Sequence, residues 1–147
     1  MNTKYITTAI LSLSLGLTSL SYAQDADIPA KISKEDMTAK IFEHPGMITT
    51  HNGGGTQLDV QTFLSSDKKF DTGRFTAGAG RMDITEPYGV DEFMYFLEGS
   101  VKLTSSDGTV QVINAGEAVT VSKEWTGIWE TEGYSKIYVI YYPEPVE

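Results

Sequence analysis

From Thr56 onward, short runs rich in Val, Ile, Thr, Tyr and Phe are broken by Gly, Asp, Asn and Ser about every eight to twelve residues, the spacing of a β-sandwich or barrel. This rhythm constrains the fold more than any other feature of the chain. "TQLDVQTFL" places Leu58, Val60, Thr62 and Leu64 on one face of a strand. "EFMYFLEG" is apolar on both faces, so it is expected to be a central strand covered on both sides. "SVKLTSSDGTVQVINAG" reads as a hairpin. Asp107-Gly108 supplies the positive φ of a tight turn, and Val101/Leu103 and Val110/Val112 alternate on the flanking strands. "EAVTVS" follows, and "YSKIYVIYY" is an aromatic, β-branched last strand. No long amphipathic helix competes. The expected class is all-β, in one domain, since 147 residues suit a single core of ordinary size.

The N-terminal third reads differently. Lys4 opens the chain, Ile6 to Leu20 is an apolar run broken by Ser and Thr, and Ser21 and Ala23 are small residues where a signal peptidase reads. Residues 1–23 therefore read as a secretory signal peptide, which makes the protein periplasmic or secreted. Residues 24–55 form an arm. "SKEDMTAKIFE" fits one short helix with Ser33 as N-cap and Asp36 three residues on, and "HPG" and "NGGG" stop it. The barrel is expected over 56–142, with a short tail at 143–147. The formal charge of −9 disfavours nucleic acid and anionic lipid, which need basic contacts. Nothing after the signal is apolar for long enough to anchor the chain in a membrane. The absence of cysteine removes disulfides, thiolate nucleophiles and thiolate metal sites.

One stretch carries a metal-site spacing without its histidines. Gly80, Glu86, Tyr88, Glu92 and Gly99 stand at the intervals of G-x5-H-x-H-x3-E-x6-G. Further on, Gly116, Ser122, Glu124 and Gly127 stand at those of G-x5-P-x-G-x2-H. These are the two motifs of the cupins, and the chain resembles that superfamily over residues 56–142. The wording "DEFMYFLEGSVKLT" through "WTGIWE" to "KIYVIY" resembles one subgroup, the (S)-ureidoglycine aminohydrolase-type cupin domain. The resemblance implies a single jelly-roll barrel with a short N-terminal arm or helix. In metal-bearing cupins two His, one Glu and a third His point inward. By that correspondence Glu92 is the retained ligand, and Glu86, Tyr88 and Gly127 replace the others. The aminohydrolase subgroup relies on manganese, so the implied cofactor is a divalent metal such as Mn, or none.

Strand alternation allows Glu86, Tyr88 and Glu92 to face the interior, above Met94 and Phe96. Three readings stay open. Glu86 and Glu92 bind a hard cation through oxygen, with water or substrate completing the shell. Alternatively, no metal binds, the two carboxylates repel, and one acts as acid or base. In the third, Arg74 or Arg81 pairs with a carboxylate and the site is structural; either arginine is also placed to hold a substrate carboxylate. His44 and His51 lie in the arm and are expected to be solvated or hydrogen-bonded to backbone rather than to supply missing ligands. Among the aromatics, Trp125 and Trp129 flank the position of the missing second-motif histidine and are the best candidates for a stacking wall. No G-x-S-x-G, phosphate loop or zinc-protease helix is present.

The preferred function is therefore a small-molecule-binding cupin. Glu92 and Glu86 are its candidate catalytic pair, and Tyr88, Arg81, Trp125 and Trp129 its candidate substrate contacts. The resemblance implies hydrolase or lyase chemistry on small polar nitrogenous or sugar-acid compounds. The alternative is a non-catalytic periplasmic binding or assembly protein using the barrel as a scaffold. The apolar outer face of "EFMYFLEG" and the aromatic last strand point to a homodimer.

Overall fold

The computed structural model describes residues 28–52 and 55–146, so the expected signal peptide lies outside the described residues. Seven antiparallel strands make one sheet: β1 (Ile48–Asn52), β2 (Gly55–Leu64), β3 (Phe70–Ile84), β4 (Asp91–Ser105), β5 (Val110–Asn114), β6 (Ala118–Val121) and β7 (Gly127–Tyr141). Their order is β1-β2-β3-β7-β4-β5, with β6 also paired to β4. The fold is all-β in a single domain, as the strand rhythm implies. Among the described residues, no helix is long and apolar enough to cross a membrane.

The three 15-residue strands β3, β4 and β7 form the frame. β7 pairs with β3 from Phe70↔Tyr141 to Ile84↔Gly127 and with β4 from Asp91↔Tyr141 to Ser105↔Gly127. The sequence expectation ended a strand at Gly99, yet β4 runs on through it. Gly99 has φ 69°, and the β4–β7 register shifts on either side of it. It is a bulge that bends one long strand. A Cβ there would collide with the Gly133 carbonyl oxygen, so both the backbone conformation and the close approach require glycine.

Pairing fixes the faces. Asp59, Phe75 and Lys136 lie in one row, and Gly73, Tyr138 and Met94 in the next. This face looks into the core, where Met94, Phe96, Val101, Leu103, Ile113, Val121, Trp129, Tyr134 and Tyr138 are buried together. The opposite face of β2 and β3 carries Leu58, Val60, Arg74 and Thr76. The arm covers it. Ser33 and Asp36 form the expected reciprocal cap, with Ser33 N–H donating to Asp36 (2.8 Å) and Asp36 N–H to the Ser33 hydroxyl (3.2 Å). The chain then turns instead of continuing as an α-helix. A 3-10 helix, Ala39–Glu43, starts separately with Thr38 as its cap. Ile41 is buried. The Arg74 guanidinium lies 5.7 Å from the Phe42 ring centroid and donates to the Asp36 carbonyl (2.8 Å) and the Ser135 hydroxyl (2.9 Å). Arg74 therefore ties arm to sheet.

Two expected faces come out otherwise. Val110 and Val112 are exposed, and Ile113 is the core residue of β5, because it pairs with buried Val101. "EFMYFLEG" is covered on one side only within the chain: Phe93 and Tyr95 are 43% and 36% exposed. The Asp107-Gly108 turn is wider than a two-residue hairpin loop. Ser105 N–H bonds to Thr109 O, and Gly108 (φ 87°) is the residue with positive φ.

Candidate functional site

The first motif's anchors enter on β4 and the segment before it. Glu92, Met94 and Phe96 alternate inward along β4 and meet Ile140, Tyr138 and Lys136 of β7. Glu92 and Lys136 are 3% and 5% exposed. Tyr88 lies on the connection from β3 to β4. Its N–H donates to Trp125 O (3.0 Å), and Gly89 N–H donates to Lys123 O (2.8 Å). These bonds dock the connection onto the loop after β6. Lys123 N–H returns a bond to the Asp91 carboxylate (3.0 Å). The Tyr88 side chain is thereby brought over the barrel end.

There it meets Glu92. The Tyr88 hydroxyl donates to Glu92 Oε2 at 2.5 Å, and the Lys136 ammonium donates to Glu92 Oε1 at 2.7 Å. The same ammonium is 3.1 Å from Met94 Sδ and 5.1, 5.5 and 5.8 Å from the ring centroids of Phe75, Trp129 and Tyr134. All three distances are within cation–π range. Burial, then the neighbouring Glu92 charge, pushes the Tyr88 hydroxyl well above the usual tyrosine range, so Tyr88 acts as a donor.

A second polar group lies farther along the same interior face. The Tyr138 hydroxyl donates to Asp59 (2.9 Å). Asp71 accepts from Gln61 (3.0 Å) and the Tyr142 hydroxyl (3.2 Å) through Oδ2, while its Oδ1 is buried without a hydrogen-bond partner. Burial pushes the Asp71 carboxyl up to about 6, against the pull of those two hydrogen bonds. Burial also raises Asp59. No cation pairs with either aspartate at salt-bridge distance among the described residues.

The structure sorts the sequence candidates. Glu92, Tyr88, Trp125 and Trp129 come together: Trp125 packs edge-on to Tyr88 with centroids 6.3 Å apart and donates its indole N–H to Ser105 (3.0 Å), while Trp129 lines the Lys136 box. Glu86 is exposed on the β3–β4 connection and is not among the hydrogen-bond or ion-pair partners of Glu92. Arg81 points outward and pairs with Asp83 (2.8 Å) and Glu130 (2.9 Å) at half exposure. His51 is bonded to Thr56 (3.3 Å), and His44 accepts from Gly46 N–H (3.0 Å). Sequence reasoning missed Lys136, Asp59 and Asp71. A signal for Lys136 existed: in "YSKIYVIYY" it shares strand phase with Tyr134 and Tyr138. Ile137 and Val139 argued for the other phase, and apolar residues on both faces left the choice undecided.

A rolled antiparallel sheet with acids and rings at its interior end, in place of imidazoles, defines a cupin without a histidine site. Residues 64–138, about half of the chain, match the EutQ-like cupin domain, and the chain belongs to that family. In shape it is similar to a protein of unknown function of the DUF861 family from Pseudomonas syringae pv. tomato str. DC3000, at 17% identity and TM-score 0.58 over 64% of this chain and 43% of that one. It is also similar to the Clostridium difficile EutQ protein, at 18% identity and TM-score 0.53 over 65% and 75%. A third is the ectoine synthase of P. lautus, at 14% identity and TM-score 0.52 over 65% and 69%. At such identities the likeness establishes fold alone. The chain spans less than half the length of the Pseudomonas protein. No curated protein matches it.

The metal that a cupin fold implies does not fit these residues. Of the four ligand positions, Glu86 is exposed, Tyr88 donates its proton to Glu92, and both Glu92 oxygens are engaged. Gly127 offers no side chain, and a Cβ there would collide with the Thr104 carbonyl oxygen. Among the described residues no three His, Asp or Glu are grouped to hold an ion.

Proposed function

We propose that this chain is an exported, small-molecule-binding cupin whose recognition site is the Tyr88–Glu92–Lys136 cluster, with Trp125 beside it. One observation carries the reading: a carboxylate and an ammonium are held together at 3% and 5% exposure among the rings of Phe75, Trp129 and Tyr134. Buried ion pairs are weak contributors to stability, so a charged pair retained in the interior points to a role beyond stability. The cluster presents a carboxylate, an ammonium and a phenol, which suit a small polar ligand with both donors and acceptors. The resemblance to ureidoglycine aminohydrolase-type domains makes small nitrogenous acids the first class to try. Glu92, between a phenol and an ammonium, is the group placed to move a proton. Glu86 and Arg81 belong at most to the outer rim.

The test is a thermal-shift screen of small amino, ureido and sugar acids. A ligand at about 100 times its Kd adds about 2.7 kcal/mol, which is readily seen. The expected result is a shift that disappears in Glu92→Gln and shrinks in Tyr88→Phe. Shifts indifferent to both variants place the site elsewhere.

A second reading, the barrel as an assembly scaffold, has its own support. Phe93, Tyr95 and Tyr141 are exposed on the outer face of β4 and β7, where Phe93 pairs with Val139 and Tyr95 with Ile137. An apolar patch of this kind marks an interface. The expected partner is a second copy of the chain, giving a light-scattering mass near twice that of one chain, reduced to one by Phe93→Glu. A monomer at micromolar concentration removes the homodimer. The N-terminal residue of protein recovered after export tests the signal peptide, with residue 24 expected.

A further inference from the structure

We infer that Lys136 is the resident cation of this barrel: its ammonium fills, in cis, a built alkylammonium site made by the Glu92 carboxylate and the rings of Phe75, Trp129 and Tyr134. The inference is independent of the scaffold reading; under the binding reading it makes the Lys136 ammonium a fixed part of the cluster, leaving Tyr88 and the Glu92 Oε2 side to meet a ligand. Three aromatic rings around a cation, with a carboxylate at one side, is the arrangement by which proteins recognise alkylammonium ligands. Here the cage is complete. The ammonium sits 2.7 Å from Glu92 Oε1 and 5.1 to 5.8 Å from the three ring centroids, with the soft Met94 sulfur at 3.1 Å. Of these groups all but Phe75, which is half-buried, are closed off from the surface. Lys136 is tethered by β7, whose backbone pairs with β3 at Phe75 and with β4 at Phe96. The side chain therefore brings its own cage wall and its own countercharge into register as the sheet zips.

This explains the disagreement between fold and donor set. In a metal-bearing cupin, the inward glutamate is neutralised by a bound ion. In this chain the glutamate is kept, the imidazoles are gone, and a lysine two rows along the adjoining strand supplies the positive charge. A divalent ion entering beside Glu92 would meet the ammonium's charge and would find sulfur and ring faces where oxygen or nitrogen ligands are needed. The prediction is a barrel that refuses metal as it stands and accepts a free alkylammonium once its lysine is cut back.

Lys136→Ala removes the atoms of propylammonium, so propylammonium is the probe. The variant should melt about 10 °C or more below the unaltered protein, as loss of one partner of a buried pair does. Millimolar propylammonium should recover a large part of that drop, while propanol and sodium chloride at matched concentration should not. If the variant does not fold alone, refolding with and without propylammonium gives the same reading as folded yield. The neutral pair Glu92→Gln/Lys136→Met should fold and show no propylammonium response. Equilibrium dialysis of the unaltered protein against Mn, Ni and Zn should leave no stoichiometric metal. Recovery by propanol as good as by propylammonium, no recovery at all, or near one metal per chain in the unaltered protein each overturns the inference.

Discussion

Two groups of ions in this molecule have nearly the same distances and opposite surroundings. In the interior, Lys136 and Glu92 meet at 2.7 Å with side chains 6% and 4% exposed. On the outer face, Arg81, Asp83, Glu130 and Lys102 form a chain of contacts at 2.6 to 2.9 Å with side chains 31% to 60% exposed. Distance alone would rank them equal. Solvent separates them: water and salt screen the outer network. The inner pair has given up its hydration and depends on its few protein partners. A third group, around Asp71, shows what happens without the cation. That carboxyl is as buried as Glu92 but has only neutral donors and one unpartnered oxygen. The comparison teaches that interior charge is tolerated here in proportion to how completely each oxygen is met.

The hardest blow to the comparison is removal of the inner cation. Lys136→Ala should cost about 3–5 kcal/mol in chemical denaturation, because it leaves a buried charge unpaired. The double neutral replacement Glu92→Gln/Lys136→Met should recover most of the loss. If the single variant is nearly neutral, burial is not what distinguishes the pair. Tyr88→Phe is the next step down. It removes one hydrogen bond to a charged group, worth about 1.5–3 kcal/mol, and leaves the ring against Trp125. Its effect should vanish in a Glu92→Gln background, where the bonded group is neutral; equal costs in both backgrounds would assign the loss to packing.

Asp71 tests the other side with a change in pH. Its carboxyl titrates near 6 in the fold against an ordinary 3.8, chiefly through burial. Below about pH 4 it is protonated in both the folded and unfolded chain and has no effect. Between 4 and 6 the folded state holds the extra proton, so its stability falls as pH rises, and the loss is complete above about 6. Asp71→Asn, which imitates the protonated acid, should therefore gain up to about 3 kcal/mol at pH 7 and nothing near pH 4. A gain that does not depend on pH, or a loss at pH 7, would show that the carboxylate is better accommodated than its missing partner implies.

The outcome also explains what the sequence could and could not convey. The all-β class was legible because turn residues and β-branched runs act locally, as at "VKLTSSDGTVQV". β3 was not. Gly73, Gly78 and Gly80 weaken its strand signal, yet it pairs on both edges. Gly73 is small because the Tyr138 ring occupies the space where its side chain would be, and no local rule reveals a ring 65 residues away. Of the buried cluster proposed as the site, Glu92, Tyr88 and the tryptophans could be picked out from motif spacing. Lys136 could not, because its role depends on the β4–β7 register and on which face of β7 turns inward. Glu86 and Arg81 sit close in sequence to the buried Tyr88–Glu92–Lys136 cluster, but the turn at Pro87 and the outward phase of Arg81 carry them away from it.

The smallest expected effect belongs to that outer network. Arg81 donates to both Asp83 and Glu130, and Lys102 also reaches Glu130, so Arg81→Ala leaves Glu130 a cation. With these groups open to water, the variant should melt within about 1 °C of the parent at about 0.15 M salt, and any difference should grow as salt is lowered toward about 0.01 M, where the screening length extends from about 8 to about 30 Å. Small-ligand binding, if centred on Glu92, should be untouched. A large, salt-independent loss would mean that Arg81 is held in a way its half-exposed side chain does not indicate, and the contrast between inner and outer ions would then need a cause other than solvent. A loss confined to ligand binding would return Arg81 to the rim of the site.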